Sequence, residues 1–251
     1  MKKSLSVLII TKDNEDTIER TLKSLKNFAN ETLIVDSNSK DSTVRIARKY
    51  TNKIFIKSFN DIGKQRAYGF KYLKGDWVLI LDSDEVLSNK LKTEINKVIK
   101  NRLSEVSAYM IPYQNYFLNK PLNFGGENYR MMRLAKRSNL RIMPSILHNQ
   151  FNVEKCKIGL LNNKIHHYSY RSITQVFKKF TEYAIKDLIL KSNDNEKSSL
   201  KKIIIYPVHM FYARFIKDKG YKDGLFRIPL DLGFAYMEFL TYLLLAFKKK
   251  K

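Results

Sequence analysis

The stretch Gly75-Asp-Trp-Val-Leu-Ile-Leu-Asp-Ser-Asp-Glu85 constrains the fold more than any other part of the chain. Residues 77–81 form an unbroken apolar run, which predicts a strand buried on both faces. This strand leads directly into Asp82, Asp84 and Glu85. Carboxylates clustered at the end of a buried strand repel one another, so we expect a counter-charge. A divalent cation carrying a phosphorylated ligand would supply it, because hard oxygen ligands suit Mg²⁺ or Mn²⁺. The alternative is a solvated acidic turn.

Short apolar runs alternate with helical patterns through the first part of the chain. Predicted strands cover residues 6–10, 32–35, 53–59 and 77–81, and predicted helices cover 18–28, 44–50, 62–73 and 88–99. This alternation is typical of a parallel sheet built from right-handed crossovers, in which ligands bind beyond the carboxyl ends of the strands. Three of these strand ends carry polar clusters, which predicts one shared site. The clusters lie at residues 11–15, 36–41 and 82–85.

The pattern changes after residue 105. A strand is predicted over 108–113 and a loop over 114–127, with short strands within 129–135 and 157–168. From residue 172 onward, apolar side chains recur at helical spacing, which predicts helices joined by a polar connection over 191–202.

The chain carries 47 Lys and Arg against 24 Asp and Glu, a net charge of +23. Such an excess implies an anionic partner, which can be nucleic acid, a phosphorylated substrate or anionic lipid. Residues 230–247 are mostly apolar and precede four lysines, which predicts an interfacial helix with a basic end or, alternatively, a core or dimer helix. Uncharged apolar runs of about 18 residues do not occur, so a conventional membrane span is not expected. The single cysteine, Cys156, excludes an intrachain disulfide.

Four motifs occur in order: Ser6–Glu15, Leu33–Thr43, Gly63–Arg66 and Gly75–Glu85. Together they resemble the inverting family-two glycosyltransferases, which have the glycosyltransferase A fold. The later part resembles one branch of that family, the lipopolysaccharide-core glucosyltransferase-like proteins. Its matching pieces are Asn115–Pro121, His167–Ser172 and Gly220–Gly224. The resemblance covers nearly the whole chain and is strongest up to about residue 90, as expected where loops diverge faster than the sheet.

The resemblance implies that a nucleotide sugar binds at the ends of the first strands. Asp36 would accept a hydrogen bond from the base imide. Asp84 would ligate Mn²⁺ or Mg²⁺ at the diphosphate, with His167 as a candidate further ligand, and Asp82 would face the ribose or the water shell of the metal. Turn chemistry and helix capping are the alternative roles of Asp36 and Asp41. The other residues implied to bind the nucleotide sugar are Thr11, Asn14, Glu15, Asp41, Lys64, Arg66, Ser83 and Arg133.

Inversion also requires a base that deprotonates the acceptor hydroxyl. Proteins of the resembling branch usually have a Val-His-Glu-like motif that supplies it. This chain has Leu147-His148-Asn149-Gln150, so Asn149 stands where the carboxylate is expected, and an amide does not accept that proton. Three alternatives follow. In the first, His148 acts as the base. In the second, Glu127 or Glu154 reaches the site from a flanking loop. In the third, the activity is weak or altered.

The residues and the resemblance together predict an α/β chain with a Rossmann-like glycosyltransferase A fold, a mostly parallel central sheet and a C-terminal helical extension. Residues 1–105 are expected to be the nucleotide-sugar-binding half. Residues 106–170 would form the acceptor-side half of the same catalytic domain. Residues 171–251 would form a helical region at the membrane surface.

The predicted activity is the metal-dependent, inverting transfer of a hexose from a nucleotide sugar to a lipopolysaccharide-core or other lipid-linked or surface glycan. We expect a UDP-linked donor, a glycan or glycolipid acceptor and an anionic membrane surface as partners, on the cytoplasmic side of the cell membrane. A non-catalytic nucleotide-sugar-binding protein is the alternative, motivated by Asn149. A nucleic-acid binder would need basic residues interleaved with aromatics on an exposed platform, and the acidic strand ends argue against it.

Overall fold

A computed structural model describes residues 3–101, 105–142, 151–153 and 157–248 of the chain. These residues form two compact units. The first comprises residues 1–113 and 129–167, and the second comprises 114–128 and 168–251. The sequence predicts a division of the chain by function, into residues 1–105, 106–170 and 171–251, whereas these units are defined by compactness. The functional division therefore stays a prediction.

The strands follow the predicted alternation with helices in the first part of the chain. They are β1 (Leu5–Thr11), β2 (Glu31–Asp36), β3 (Ile54–Ile56), β4 (Trp77–Asp82), β5 (Glu85–Leu87), β6 (Val106–Phe117), β7 (Lys120–Leu122), β8 (Arg130–Lys136), β9 (Leu140–Ile142), β10 (Phe151–Val153), β11 (Lys157–Leu160) and β12 (Ile165–Tyr170). The α-helices are α1 (Ile18–Ser24), α2 (Thr43–Ala47), α3 (Ile62–Phe70), α4 (Asn89–Lys100), α5 (Ile173–Asn193), α6 (Leu200–Tyr212) and α7 (Ile228–Phe247). A π-helical turn, Ala213–Lys217, continues α6.

The first unit is built on a sheet in the order β3-β2-β1-β4-β8-β6. The first four strands are parallel, while β8 is antiparallel to both β4 and β6. The central strand β1 is buried along its whole length, with Ile9 opposite Ile34 on one side and Leu81 on the other. A mostly parallel sheet with helices confirms the predicted α/β class.

Alternate residues of β1 face opposite sides of the sheet, as the twofold repeat of a strand requires. Val7 and Ile9 belong to a core shared with α1 and α4, whereas Leu8 and Ile10 belong to a second core on the other side of the sheet. The sheet is therefore covered on both faces, which explains why its strands are continuous apolar runs rather than alternating ones.

The segment expected to be a loop, residues 114–127, is partly a strand, so that prediction was wrong. Strand β6 continues to Phe117 and pairs with β7. Polar residues suggested a loop, but here they are buried with partners. The side chain of Gln114 donates to the carbonyl of Leu122 at 2.8 Å, and that of Asn115 donates to the carboxylate of Glu127 at 2.7 Å. Because their hydrogen bonds are satisfied, both polar side chains are accommodated in a buried strand.

The second unit is organised around α7, which packs against α5 and α6. Its core contains Phe117, Val176, Phe180 and Leu230. Gly233 allows this close approach, since a Cβ atom there would lie 2.8 Å from side-chain atoms of Val176 and Phe180. The polar connection between α5 and α6 is shorter than expected, because α5 extends to Asn193 and α6 begins at Leu200.

Residues 225–247 form the one helical segment of the described chain that is long and apolar enough to cross a membrane, judged by length and composition alone. Core helices of soluble proteins also pass that test. Packing against α5 and α6 accounts for the apolar residues Leu230, Tyr242 and Leu245, which are buried in α7.

Candidate functional site

The loops that follow β1 and β2 hold each other through reciprocal hydrogen bonds. The carboxylate of Glu15 accepts from the backbone N–H of Ser42 at 2.8 Å, and the carboxylate of Asp41 accepts from the backbone N–H of Glu15 at 3.0 Å. The backbone N–H of Asn14 donates to Thr43 Oγ1 at 2.7 Å. These residues, predicted to line the nucleotide pocket, are therefore brought together, and their side chains fix the two loops relative to each other.

Asp36 lies at the carboxyl end of β2 and is fully buried. Its carboxylate accepts hydrogen bonds from the backbone N–H and the hydroxyl of Ser39, the first at 2.8 Å. Asp36 and Thr11 are neighbours in the register of β1 and β2. Thr11 is also buried, and among the residues that the structure describes its Oγ1 has no hydrogen-bond partner.

Asp82 ends β4 and is neutralised by two arginines. Arg66, from α3, donates to Oδ1 of Asp82, and Arg133, from β8, donates to Oδ2 at 3.0 Å. Both arginine side chains are only 2% exposed, whereas the side chain of Asp82 is 28% exposed, so the guanidinium groups are shielded from water and the carboxylate is partly accessible. Burial opposes ionisation of Asp82, but the two guanidinium groups outweigh it and hold the pKa of this carboxyl well below its usual range.

Glu85 shares Arg133 with Asp82. Its Oε1 accepts from Arg133 at 2.7 Å and from the hydroxyl of Tyr113 at 2.9 Å, while Oε2 accepts from the backbone N–H of Asp82 at 3.0 Å. Burial raises the pKa of Glu85 even though Arg133 opposes the shift, and nearby Asp82 adds to it. One arginine thus serves two carboxylates, and its Nη1 has no hydrogen-bond partner within the described part of the chain.

Asp84 has a different environment from the other two carboxylates. The side chains of Asp82, Asp84 and Glu85 are 28%, 21% and 0% exposed, respectively. Pairing of β5 with β12 places His167 opposite Glu85, and this brings His167 Nε2 to 3.5 Å from Asp84 Oδ1. The ring of His167 stands edge-on to Tyr113 with a centroid distance of 5.7 Å. The structure therefore brings together the two residues predicted to ligate a metal.

Asp84 and His167 could act as ligands of Mn²⁺ or Mg²⁺ in a site whose remaining ligands come from the substrate. A carboxylate oxygen suits both ions, and Mg²⁺ is usually held by one or two carboxylates together with water and substrate phosphates. Across the described ranges, three His, Cys, Asp or Glu side chains do not converge in a geometry that could hold a metal. Phosphate oxygens of a bound ligand would have to complete the coordination of an ion here.

The remaining predicted residues have varied positions. Lys64 is exposed on the first turn of α3, and Ser83 is buried, with its carbonyl accepting from Thr21 Oγ1 at 2.9 Å. Glu127 belongs to the second unit, where it is buried and its carboxylate pairs with Arg214 and accepts from Asn115. The two candidate bases His148 and Glu154, together with Asn149, lie outside the described residues, so the identity of the base stays a prediction.

Sequence reasoning missed two polar residues that shape the site. Gln65 is buried on α3, and its amide donates to the carbonyls of Thr11 and Val35 at 3.1 and 2.8 Å, so it ties the helix to the ends of β1 and β2. Tyr113, on β6, was assigned only to a strand, although its hydroxyl meets Glu85 and Arg133. Gln65 lies inside the motif Gly63–Arg66, which offered a signal. Tyr113 offered none, because its partners are distant in sequence.

Comparison with known proteins gives a consistent family. The sequence model of "Glycosyl transferase family 2" matches residues 6–155. An uncharacterized glycosyltransferase of Rickettsia bellii is 30% identical over 253 residues, covering 96% of this chain and 85% of that protein. Another from Rickettsia conorii is 29% identical and covers 96% of this chain and 89% of its own length.

Solved structures of two other bacterial proteins are also similar to this chain. A structure of Staphylococcus aureus TarS residues 1–349 has a TM-score of 0.46 at 15% identity and covers 97% of this chain and 90% of that one. Glucosyl-3-phosphoglycerate synthase from Mycobacterium tuberculosis, in complex with Mg²⁺ and UDP, has a TM-score of 0.40 at 16% identity, covering 55% and 58% of the two chains.

The family match spans more than half of the chain, and it includes the three strand ends at which the polar residues converge. The predicted resemblance is thereby confirmed at the level of the family. The chain belongs to glycosyl transferase family 2 and is a glycosyltransferase with the glycosyltransferase A fold.

Proposed function

We propose that this glycosyltransferase moves a hexose from a UDP-linked sugar to a lipopolysaccharide-core or other lipid-linked or surface glycan, with inversion and with a divalent metal. The observation that carries the proposal is the position of Asp84. Arg66 and Arg133 form ion pairs with Asp82 and Glu85, whereas Asp84 lies 3.5 Å from Nε2 of His167, the other predicted metal ligand. This arrangement supports a role for Asp84 in holding a cation at the diphosphate of the donor.

The chemistry follows from the leaving group. The acceptor oxygen attacks the anomeric carbon of the sugar. The bond between this carbon and the diphosphate oxygen breaks, and the nucleoside diphosphate departs with negative charge. A divalent cation, when bound, supplies Lewis acidity that stabilises this charge. Asp84 and His167 are the residues that would hold it. Asp82, kept ionised by its arginines, would accept hydrogen bonds from the ribose of the sugar donor or from water around such a cation.

The acceptor hydroxyl must lose its proton as it attacks. His148 is our preferred base, because an imidazole titrates near neutral pH and Asn149 cannot take a proton. Glu127 is the weaker candidate, since its carboxylate is buried in ion pairs with Arg214 and Arg227. We therefore expect His148→Ala to abolish transfer while donor binding is retained, and Glu127→Gln to act mainly on stability.

The proposed location is the cytoplasmic face of the cell membrane. It is supported by the net charge of +23 and the lysines that follow α7, and it agrees with the lipid-linked acceptor that we propose. A non-catalytic nucleotide-sugar-binding protein is the second candidate, favoured by Asn149 in place of the expected glutamate.

A panel of nucleotide sugars, each incubated with the protein and Mn²⁺, tests the proposal through release of nucleoside diphosphate. We expect one UDP-sugar to be consumed, with activity lost on metal chelation and in Asp84→Asn. Glu182→Gln, at an exposed position on α5, is the matched control and should keep full activity. Donor binding without turnover would favour the non-catalytic alternative. Failure of every nucleotide sugar to bind or react would contradict both.

A further inference from the structure

Helix α6 and the π-helical turn after it present a continuous apolar surface to solvent. We call this surface the α6 apolar face. Its members are between 45% and 76% exposed, and most recur every four residues, so they share one side of the helix. They are Leu200, Ile204, Ile205, Val208, Tyr212 and Ile216, of which Ile205 also lines a cavity with Tyr206 and Tyr242. A surface helix of a soluble protein normally places charged or polar residues on its outer side.

Packing within the second unit does not account for this face. Helix α6 already has a partner, because it packs against α7 through its other side. The ring of Tyr206 stands perpendicular to that of Tyr242 on α7 at a centroid distance of 5.3 Å, and Pro207 is buried. The α6 apolar face is thus a second, outward apolar side of a helix whose inward side is occupied. Exposed apolar patches of this kind mark sites of interaction.

Lysines surround the face at both ends. Lys197 and Lys201 are exposed near the start of α6, and Lys217, Lys219 and Lys222 are exposed after its end. The second unit as a whole carries 18 Lys and Arg against 9 Asp and Glu. Pairing the face with a second copy of the chain would bring these like charges together. An anionic surface would instead be attracted to them, and each lysine near such a surface contributes about 1 kcal/mol.

We propose that the α6 apolar face docks the protein on an anionic phospholipid bilayer. The apolar side chains enter the boundary between head groups and acyl chains, and the flanking lysines bind lipid phosphates. Tyr212 has the amphipathic ring that favours this boundary. The inference rests on the membrane-surface location in the proposed function and deepens it, but it assigns the contact to α6, whereas the sequence pattern pointed to α7.

The exposed apolar residues of α5 differ from this face. Ile185 and Ile189 are 47% and 42% exposed and also lie four residues apart. Their side of α5 also carries the exposed acidic residue Glu182, three residues before Ile185, whereas the exposed residue at the same spacing before Ile204 on α6 is the basic Lys201. An acidic residue beside the apolar pair disfavours contact with an anionic lipid surface. The pair Ile185 and Ile189 therefore offers a matched control within the same unit.

Co-flotation with vesicles of phosphatidylglycerol and phosphatidylethanolamine tests the proposal. We expect the full chain to float with these vesicles, to bind less at high salt, and to remain unbound with pure phosphatidylcholine. Ile204→Gln combined with Val208→Gln should weaken binding about tenfold or more, since two buried apolar side chains are lost from the contact. Ile185→Gln combined with Ile189→Gln should leave binding unchanged. All four positions are exposed, so both double variants should keep the thermal midpoint and the UDP-dependent shift of the parent.

A second measurement reports insertion directly. Trp77 is the single native tryptophan and is buried in the first unit, so an added tryptophan dominates any change on lipid addition. Val208→Trp should show a blue-shifted emission and protection from an aqueous quencher when the anionic vesicles are present, and Ile185→Trp should show neither.

Three outcomes would overturn the docking site. The first is equal vesicle binding by the parent and by the double variant Ile204→Gln/Val208→Gln. The second is loss of binding in both double variants alike. The third is a dimer in solution that becomes a monomer only in the α6 variant, which would assign the face to a second copy. In each case, a UDP-dependent thermal shift equal to that of the parent would show that the nucleotide site is intact, so the proposed sugar transfer would not be contradicted. Failure of docking is therefore distinguishable from failure of the proposed function.

Discussion

The two units bury similar ionic networks but satisfy them differently. In the second unit, Arg227 is fully buried and all three of its nitrogens donate hydrogen bonds, to Asp231, Asp223 and the carbonyls of Phe124 and Gly125. In the first unit, Arg133 serves Asp82 and Glu85, yet its Nη1 has no partner among the described residues. A fully satisfied network fixes structure, whereas a partly satisfied one at strand ends is typical of a ligand site.

The surfaces of the units differ as well. Of the large apolar residues that are exposed in the described chain, 17 lie in the second unit and 5 in the first. The first unit is the larger, so the difference is not one of size. The first unit covers its sheet on both faces and concentrates its chemistry at the strand ends. The second unit packs α7 against α5 and α6 but leaves the outer side of α6 apolar, which is what an interaction surface requires.

The largest expected effect comes from removing Arg227 in the second unit. Arg227→Met would leave Asp231 and Asp223 buried without their main counter-charge, so we expect a loss of about 3–5 kcal/mol in the free energy of unfolding. Denaturant titration measures it. Lys222→Met, at an exposed position nearby, is the control and should change the free energy little. A loss below about 1 kcal/mol would show that the network is not structural.

Removing Arg133 in the first unit should cost less and should depend on pH. Glu85, whose pKa burial already raises, would take up a proton in Arg133→Met and so avoid a buried charge, while Asp82 keeps Arg66. A carboxyl whose folded pKa is raised favours the folded state below its unfolded pKa and loses that contribution as pH rises. We expect a loss of about 2–3 kcal/mol at pH 8 and a smaller loss at pH 5. A loss independent of pH would contradict the account of Glu85.

A smaller and oppositely signed pH effect is expected at Glu31, near the start of β2. Burial opposes its ionisation, but hydrogen bonds from Lys53, Ser6 and the backbone of Lys74 lower the pKa of Glu31 to about 2. This carboxylate therefore stabilises the fold above its unfolded pKa, and the contribution is lost as pH falls towards 2. Glu31→Gln should remove about 2–3 kcal/mol at pH 7 and flatten the acid side of the stability profile. If the free energy of unfolding falls equally steeply with decreasing pH in the variant and the parent, the proposed contribution of Glu31 is wrong.

The strands and helices of the first unit could be predicted well, because each follows a pattern of neighbouring residues that can be recognised in the sequence. The apolar runs of β1, β2 and β4 and the cap of α4 at Ser88 are visible in the sequence, and Ser88 does accept from the backbone N–H of Leu91 at 3.1 Å. Long-range pairing was not visible. Arg133 and Glu85 are 48 residues apart, and Arg214 and Glu127 are 87 apart, so nothing local connects them.

The same limit applies to the candidate site. The sequence suggested that a cation offsets all three carboxylates after β4, but Arg66 and Arg133 already offset Asp82 and Glu85. The family resemblance predicts that both arginines contact the nucleotide sugar, and basic residues on a basic chain give no sign of burial in the sequence. Asp84 and His167 were paired in the prediction only through the family resemblance, and β5–β12 pairing is what brings them together.

The central claim is that arginines pair with Asp82 and Glu85, whereas Asp84 binds the cation. Thermal unfolding of the parent and of Asp84→Asn, each with and without UDP and Mn²⁺, tests this claim most directly. We predict that the ligand-free midpoint of the variant stays within about 3 °C of the parent, since the arginine pairs are untouched. The rise in midpoint caused by UDP with Mn²⁺ should be large in the parent and absent in the variant. An equal ligand-induced rise in both proteins would contradict the assignment of the cation to Asp84.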